Sequence, residues 1–141
     1  MSGRTRDRVL VYCDGGARGN PGPAAIGAVV LDPETDPPTE LATVSERIGT
    51  ATNNVAEYRA LIAGLEAAKP FGARRVSVRA DSQLVVRQLE GKYRVKQAHL
   101  RPFYEEARAL LAEYDEVDLA HVRREDNVVA DALVNAALDG A

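Results

Sequence analysis

Four acidic residues stand where a carboxylate can do chemistry: Asp14, Glu57, Asp81 and Asp131. Each also has an ordinary explanation. Asp14 is followed at once by Gly15-Gly16, and an Asp often satisfies the backbone of a turn. Glu57 lies three residues after Asn54, the spacing of a capping box with Asn as the N-cap. Asp81 precedes a helical segment and suits its cap. Asp131 falls in the first turns of the last helix, where the helix dipole favours a negative charge.

Taken together, the four are an unusual set. Asp14 and Asp81 end strand-like runs, and strand ends are where open α/β sheets carry their chemistry. Glu57 sits one turn before Leu61 on an apolar stripe, and Asp131 shares a face with Val134 and Leu138. An inward carboxylate is costly unless something compensates it. If the fold gathers these four positions, the like charges raise one another's pKa values. A divalent cation removes that repulsion, and an all-oxygen, acid-rich site suits Mg²⁺ or Mn²⁺ rather than Zn²⁺. His121 and Cys13 do not form a zinc pattern.

The elements that must position these acids are legible from periodicity. Residues 8–14 (RVLVYCD) read as a strand buried on both faces, followed by the turn-rich GGARGNPGP. Residues 24–31 and 40–48 read as two more strands around a loop with three prolines, completing an antiparallel meander. Tyr58, Leu61, Ile62, Leu65 and Ala68 then recur at helical spacing, which predicts a helix over 54–69 stopped by Pro70 and Gly72. A strand at 75–81, helices at 82–91 and 101–114, a strand at 117–123 and a helix at 127–138 follow. The order βββαβααβα predicts an α/β domain: a five-stranded mixed sheet, a three-strand antiparallel meander plus two parallel strands, flanked by helices.

Composition bounds the rest. The chain's 141 residues fit one domain, large enough to bury a core without metal or disulfide staples. The organisation expected is a tail over 1–8, the domain over 9–138 and a tail or truncated linker over 139–141. A single cysteine allows no intramolecular disulfide and fits a reducing compartment. Residues 1–8 lack an apolar stretch behind a basic start, and no run approaches the ~20 apolar residues of a membrane helix, so the cytoplasm is expected, with no membrane partner. The net charge of −3 argues against a nucleic-acid partner at first sight. Between positions 87 and 101, however, Arg87, Lys92, Arg94, Lys96 and Arg101 face a single acid, Glu90. That segment either attracts phosphates locally or is a solvated helix end and loop.

The motifs resemble one family. CDGGARGNPGPAAIG (13–27) is similar to the opening motif of type 1 ribonucleases H, TNNVAE (52–57) to the second, DSQLV (81–85) to the third, and the Asn127–Asp131 pair to the fourth. The resemblance spans about residues 9–138. It implies the ribonuclease H-like fold, with Asp14, Glu57, Asp81 and Asp131 as catalytic and metal-binding carboxylates. The implied reaction is two-metal-ion hydrolysis of the RNA strand of an RNA–DNA hybrid, leaving 5′-phosphate and 3′-hydroxyl ends. The ions expected are two Mg²⁺, with Mn²⁺ as substitute, Asp14 bridging them. The RNA 2′-hydroxyl, both donor and acceptor, would be read by the Gly15–Arg18 backbone (Gly15, Gly16 and Arg18 included) with Asn20, Asn53 and Gln83, and Asn54 nearby.

The chain departs from many bacterial members in lacking their long tryptophan-bearing basic protrusion. The shorter GKYRVKQAHLRP resembles a compact archaeal and actinobacterial subgroup and offers Lys92, Arg94 and Lys96 as phosphate contacts. Many members also carry a mobile histidine before the fourth motif. Here strand parity predicts that His121 packs or hydrogen-bonds in place, and Arg124 is expected to take the loop's substrate-contacting role. The subgroup adds two expectations: a monomer, and a C-terminal phosphatase-like domain either fused to the chain or missing from it. The competing readings are a non-catalytic hybrid-binding module, which predicts loss of an acid although none is missing, a di-metal phosphomonoesterase, which leaves the amide positions unexplained, and a related nuclease on the same fold.

Overall fold

The structure is a computed structural model that describes residues 6–140; part of the expected N-terminal tail (1–5) and Ala141 lie outside the described residues. The strands are β1 (Arg8–Ala17), β2 (Gly22–Asp32), β3 (Thr39–Ala51), β4 (Arg75–Ala80) and β5 (Glu116–His121). They form one sheet in the order β3-β2-β1-β4-β5. β1, β2 and β3 pair antiparallel, whereas β4 runs parallel to both β1 and β5. The helices are α1 (Asn53–Ala68), α2 (Gln83–Leu89), α3 (Arg101–Leu111) and α4 (Val128–Asp139). This is the mixed sheet expected from the alternation of elements.

The period-2 pattern of β1 sorts its residues between two covered faces. Val9, Val11 and Cys13 enter the main core with the α1 stripe of Tyr58, Leu61 and Leu65. The opposite face of β1–β3 is covered by α4. A central strand with helices on both faces exposes little of either, Leu10 and Tyr12 being half-buried, which is why residues 8–14 show no polar alternation.

Three expectations need correction. β1 does not stop at Asp14: Gly15, Gly16 and Ala17 continue the ladder against Ile26, Ala25 and Ala24 of β2. The glycines suggested a turn, but their backbone N–H and C=O groups pair as well as any others. The cap of α1 is Thr52, whose hydroxyl accepts from the Val55 amide at 3.3 Å, so Asn54 is not the N-cap and Glu57 is not in a capping box. Likewise Ser82, not Asp81, caps α2 by accepting from the Val85 amide at 3.2 Å. Both changes release an acid from a local structural role.

Candidate active site

The carboxylates meet where the sheet parts. The last parallel pair between β1 and β4 is Cys13 with Ala80, and the next residues on the two chains are Asp14 and Asp81. In-register parallel strands therefore deliver two acids side by side. Two close helix approaches bring the others. A Cβ on Gly15 would lie 2.2 Å from the Ala56 carbonyl oxygen, so only glycine lets the first turns of α1 rest on β1 and set Glu57 beside Asp14. On the other face a Cβ on Gly27, the partner of Asp14 across the ladder, would lie 2.4 Å from the Ala130 carbonyl oxygen. That contact seats α4 and carries Asp131 to the same cleft.

One carboxylate oxygen from each of Asp14, Glu57 and Asp81 lies within 4.8 Å of the others. Asp131 lines the same cleft, of about 460 Å³, outside that tight trio. Asn135, one turn further along α4, donates to Asp131 Oδ2 at 3.4 Å. Burial, then the charge of Asp81 and its hydrogen bond, pushes the Asp14 carboxyl up to about 8, with smaller contributions from Asp131 and Glu57. Burial pushes Glu57 up to about 7, against the opposing effects of a Ser82 hydrogen bond and the Arg124 charge. Acids held this far from their ordinary range are a site in want of a cation. The donor set is all oxygen and anionic, which fits Mg²⁺ or Mn²⁺.

The other expected residues divide into groups. Gly15, Gly16, Arg18, Asn53 and Arg124 line the carboxylate cleft. Arg18 reaches Asp139 at 2.6 Å. Asn53 accepts from the Ala17 amide at 2.9 Å, and its own backbone N–H donates to Asn20 Oδ1 at 3.1 Å, so the two amide residues are tied at the end of β1. Asn54, Lys92, Arg94 and Lys96 line a second groove of about 510 Å³ with Leu84, Gln88 and Tyr93. Gln83 is exposed at the first position of α2 and lines neither.

His121 departs from its expected place. It ends β5, is exposed, and lines the cleft beside Arg123 and Arg124. Strand parity misplaced it because β5 stops there and leaves no neighbour for the ring to pack on.

Sequence reasoning also passed over Asn127 as a functional residue. It is 1% exposed, and its Nδ2 donates at 2.9 Å to the carbonyl of Cys13, the residue before Asp14. One side chain thus joins the start of α4 to β1 at its last residue paired with β4. The signal available was the Asn127–Asp131 spacing, which places both residues on one helix face.

Fold and site together define a class: an α/β domain with an all-carboxylate centre at the parting of two parallel strands. A family model described as reverse transcriptase-like matches residues 12–137. The chain is 48% identical over 95% of its length to a ribonuclease HI of Halobacterium salinarum, covering 66% of that protein. The crystal structure of RNase H1 from this halophilic archaeon superposes with a TM-score of 0.89, over 95% of this chain and 99% of the other. The N-terminal RNase H domain of Rv2228c from Mycobacterium tuberculosis gives a TM-score of 0.89 at 47% identity, over 94% and 99% of the two chains. LC11-RNase H1, solved in complex with an RNA/DNA hybrid, gives 0.86 at 43% identity, over 93% and 96%. The chain belongs to the type 1 ribonuclease H family. It spans 36% of the length of the full mycobacterial relative, which is described as a bifunctional protein.

Proposed function

We propose that this chain is an endonuclease that hydrolyses the RNA strand of RNA–DNA hybrids, leaving 5′-phosphate and 3′-hydroxyl ends. The observation that carries the reading is the convergence of Asp14, Glu57 and Asp81 within 4.8 Å, on a cleft that Asp131 also lines. Asp14, Glu57, Asp81 and Asp131 would hold two divalent cations, Mg²⁺ or its substitute Mn²⁺. When bound, such ions supply water activation and charge stabilisation at the scissile phosphate.

The rest is the work of the chain's own residues. Asp14, centred between Asp81, Glu57 and Asp131, is the carboxylate best placed to be shared. Ser82, which caps α2, also favours the charged form of Glu57. The Gly15–Arg18 backbone with Asn20 and Asn53 presents donors and acceptors together beside the acids, the pairing a 2′-hydroxyl demands. Gln83, exposed at the start of α2, is free to turn to the same strand. Lys92, Arg94 and Lys96 offer positive charge to phosphates along the second groove. At the rim Arg124 can only donate, whereas the His121 imidazole can donate or accept; His121 is the rim group able to move a proton.

We read the nuclease unit as residues 9–138. We read it as a monomer of the cytoplasm, and among the described residues no helix is long and apolar enough to cross a membrane. The greater length of the mycobacterial relative, matched through its N-terminal domain, supports a fused C-terminal domain, which we propose to be phosphatase-like.

The test is cleavage of an end-labelled RNA–DNA hybrid with Mg²⁺ or Mn²⁺, beside matched RNA–RNA and DNA–DNA duplexes. Cutting of the hybrid's RNA strand that is lost in EDTA and in Asp14→Asn supports the proposal. Hybrid binding without cutting by folded protein replaces it with the binding-module reading.

A further inference from the structure

Gln88 is a buried amide on a helix face where an apolar side chain would serve the core as well. It is 3% exposed, between the buried Val85 and Leu89 of α2. Its Oε1 accepts from the hydroxyl of Tyr58 at 2.6 Å, and its Nε2 donates to the Arg94 carbonyl at 3.3 Å. Tyr58 is itself fully buried on α1. A buried polar chain is costly unless satisfied, and when satisfied it fixes one geometry. The geometry fixed here lies outside the core, because Arg94 belongs to no helix or strand.

Residues 91–97 leave α2 as a basic loop. Its start is held by backbone bonds from Lys92 and Tyr93 to the Arg87 carbonyl, at 2.9 and 3.2 Å. Its middle is held by Gln88, and from outside by a 3.4 Å bond from Arg101 to the Val95 carbonyl. The loop presents Lys92, Tyr93, Arg94 and Lys96 along one wall of the second groove. Tyr93 is 46% exposed there, a large ring kept at the surface beside three cations. The groove is lined at one end by Asn54, whose chain neighbour Asn53 lines the carboxylate cleft.

We infer that Gln88, oriented by Tyr58, is a positioning residue for nucleic-acid affinity: it sets the height of the 91–97 loop so that its cations meet the phosphates of a strand lying in the groove. This rests on the functional reading above and adds to it the device that lets a short loop hold a fixed place. Gln88, only 3% exposed where it borders the groove and with both amide atoms already engaged, acts through Arg94 and its neighbours.

The test compares wild type, Gln88→Met and Tyr58→Phe, the second removing only a hydroxyl. kcat and KM on the hybrid are measured across salt concentrations, with tryptic cutting after Lys92, Arg94 and Lys96 in the native protein as an activity-independent readout. The expected result is a KM raised about fivefold and a salt slope reduced by about one, as for a lost phosphate contact, with kcat held within about twofold. Tryptic cutting of the loop accelerates in both variants. Placed on a Lys92→Ala/Arg94→Ala/Lys96→Ala background, Gln88→Met changes KM little further, because the groups it positions are gone. An unchanged KM in variants of an active enzyme overturns the inference alone, as does a fall in kcat at constant KM, which would place the effect at the carboxylates. Wild-type protein that neither binds nor cuts the hybrid overturns the functional reading and this inference with it.

Discussion

Replacing Asp14 by Asn should make the metal-free protein more stable while destroying its activity. The Asp14 carboxyl is lifted from 3.8 to about 8 by burial and by Asp81. At roughly 1.36 kcal/mol per unit, that displacement sets a ceiling of about 6 kcal/mol. The repulsion is shared with Asp81 and the cleft opens to water, so about 1–3 kcal/mol is the realistic share. The sign follows from proton counting. Between about pH 4 and about pH 8 the folded protein holds a proton on Asp14 that the unfolded chain has lost, so this group's contribution to stability falls as pH rises through that window. Asparagine does not ionise and escapes the penalty. In EDTA, Asp14→Asn and wild type should melt together near pH 4 and separate above pH 8, with the variant higher by about 3–9 °C. Adding Mg²⁺ should raise the wild-type midpoint and move the variant less. A variant no more stable than wild type at pH 8.5 in EDTA would refute the argument, because the four acids would then not be repelling one another in the folded state.

Three further outcomes follow from the same geometry. The Mg²⁺ concentration needed for half-maximal binding, read by calorimetry, should rise as pH falls below about 8 and more steeply below about 7, since cations must then displace protons from Asp14 and next from Glu57; a pH-independent affinity would mean these carboxyls are not ligands. Gly15→Ala places a methyl 2.2 Å from the Ala56 carbonyl oxygen and should cost about 3 kcal/mol in denaturant unfolding, with cleavage falling further than stability explains, because α1 carries Glu57; wild-type activity in that variant would show that α1 can move without cost. Asn127→Ala breaks the bond to the Cys13 carbonyl and should destabilise by about 1–3 kcal/mol while weakening metal binding, as α4 and Asp131 are no longer pinned to β1; unchanged metal affinity would confine Asn127 to a structural role.

The fold was legible because periodicity and turn chemistry agreed along most of the chain. The α1 stripe from Tyr58 to Ala68 and the apolar runs of β1 and β4 leave little room for another architecture. The acids were legible as a set because each stands beside an element end. What escaped was decided by tertiary contact. Gly15-Gly16 reads locally as a turn, and only the pairing with β2 makes it a strand. Asn54 reads as a cap because of Glu57, but α1 already begins at Asn53, which leaves Thr52 in the capping position and Asn54 inside the helix. His121 alternates like a buried strand residue, yet nothing in its own sequence neighbourhood reveals that β5 ends there. Asn127 stood out only as the partner of Asp131 in a motif, without its role, and Gln88 could not be singled out at all. Their partners, Cys13 and Tyr58, are 114 and 30 residues away.

The positions of the acids follow from one architectural event, the divergence of β4 from β1 after Cys13 and Ala80. A sheet that continued would bury Asp14 and Asp81 in a ladder with no room for a cation or a phosphate. A sheet that parted earlier would let them separate into water, too far apart to share a cation. Parting at that residue leaves the Cys13 carbonyl for Asn127 to take, and this bond docks the helix bearing Asp131. The same event that opens the cleft therefore recruits its fourth carboxylate. The core shared by β1, β4 and α1 must outweigh the repulsion it creates, and the elements that carry Asp14, Asp81 and Glu57 are each anchored by a fully buried residue, Val11, Val78 and Leu61. Mutations that loosen those anchors should relax Asp14 and Glu57 toward ordinary pKa values and weaken metal binding before they unfold the protein.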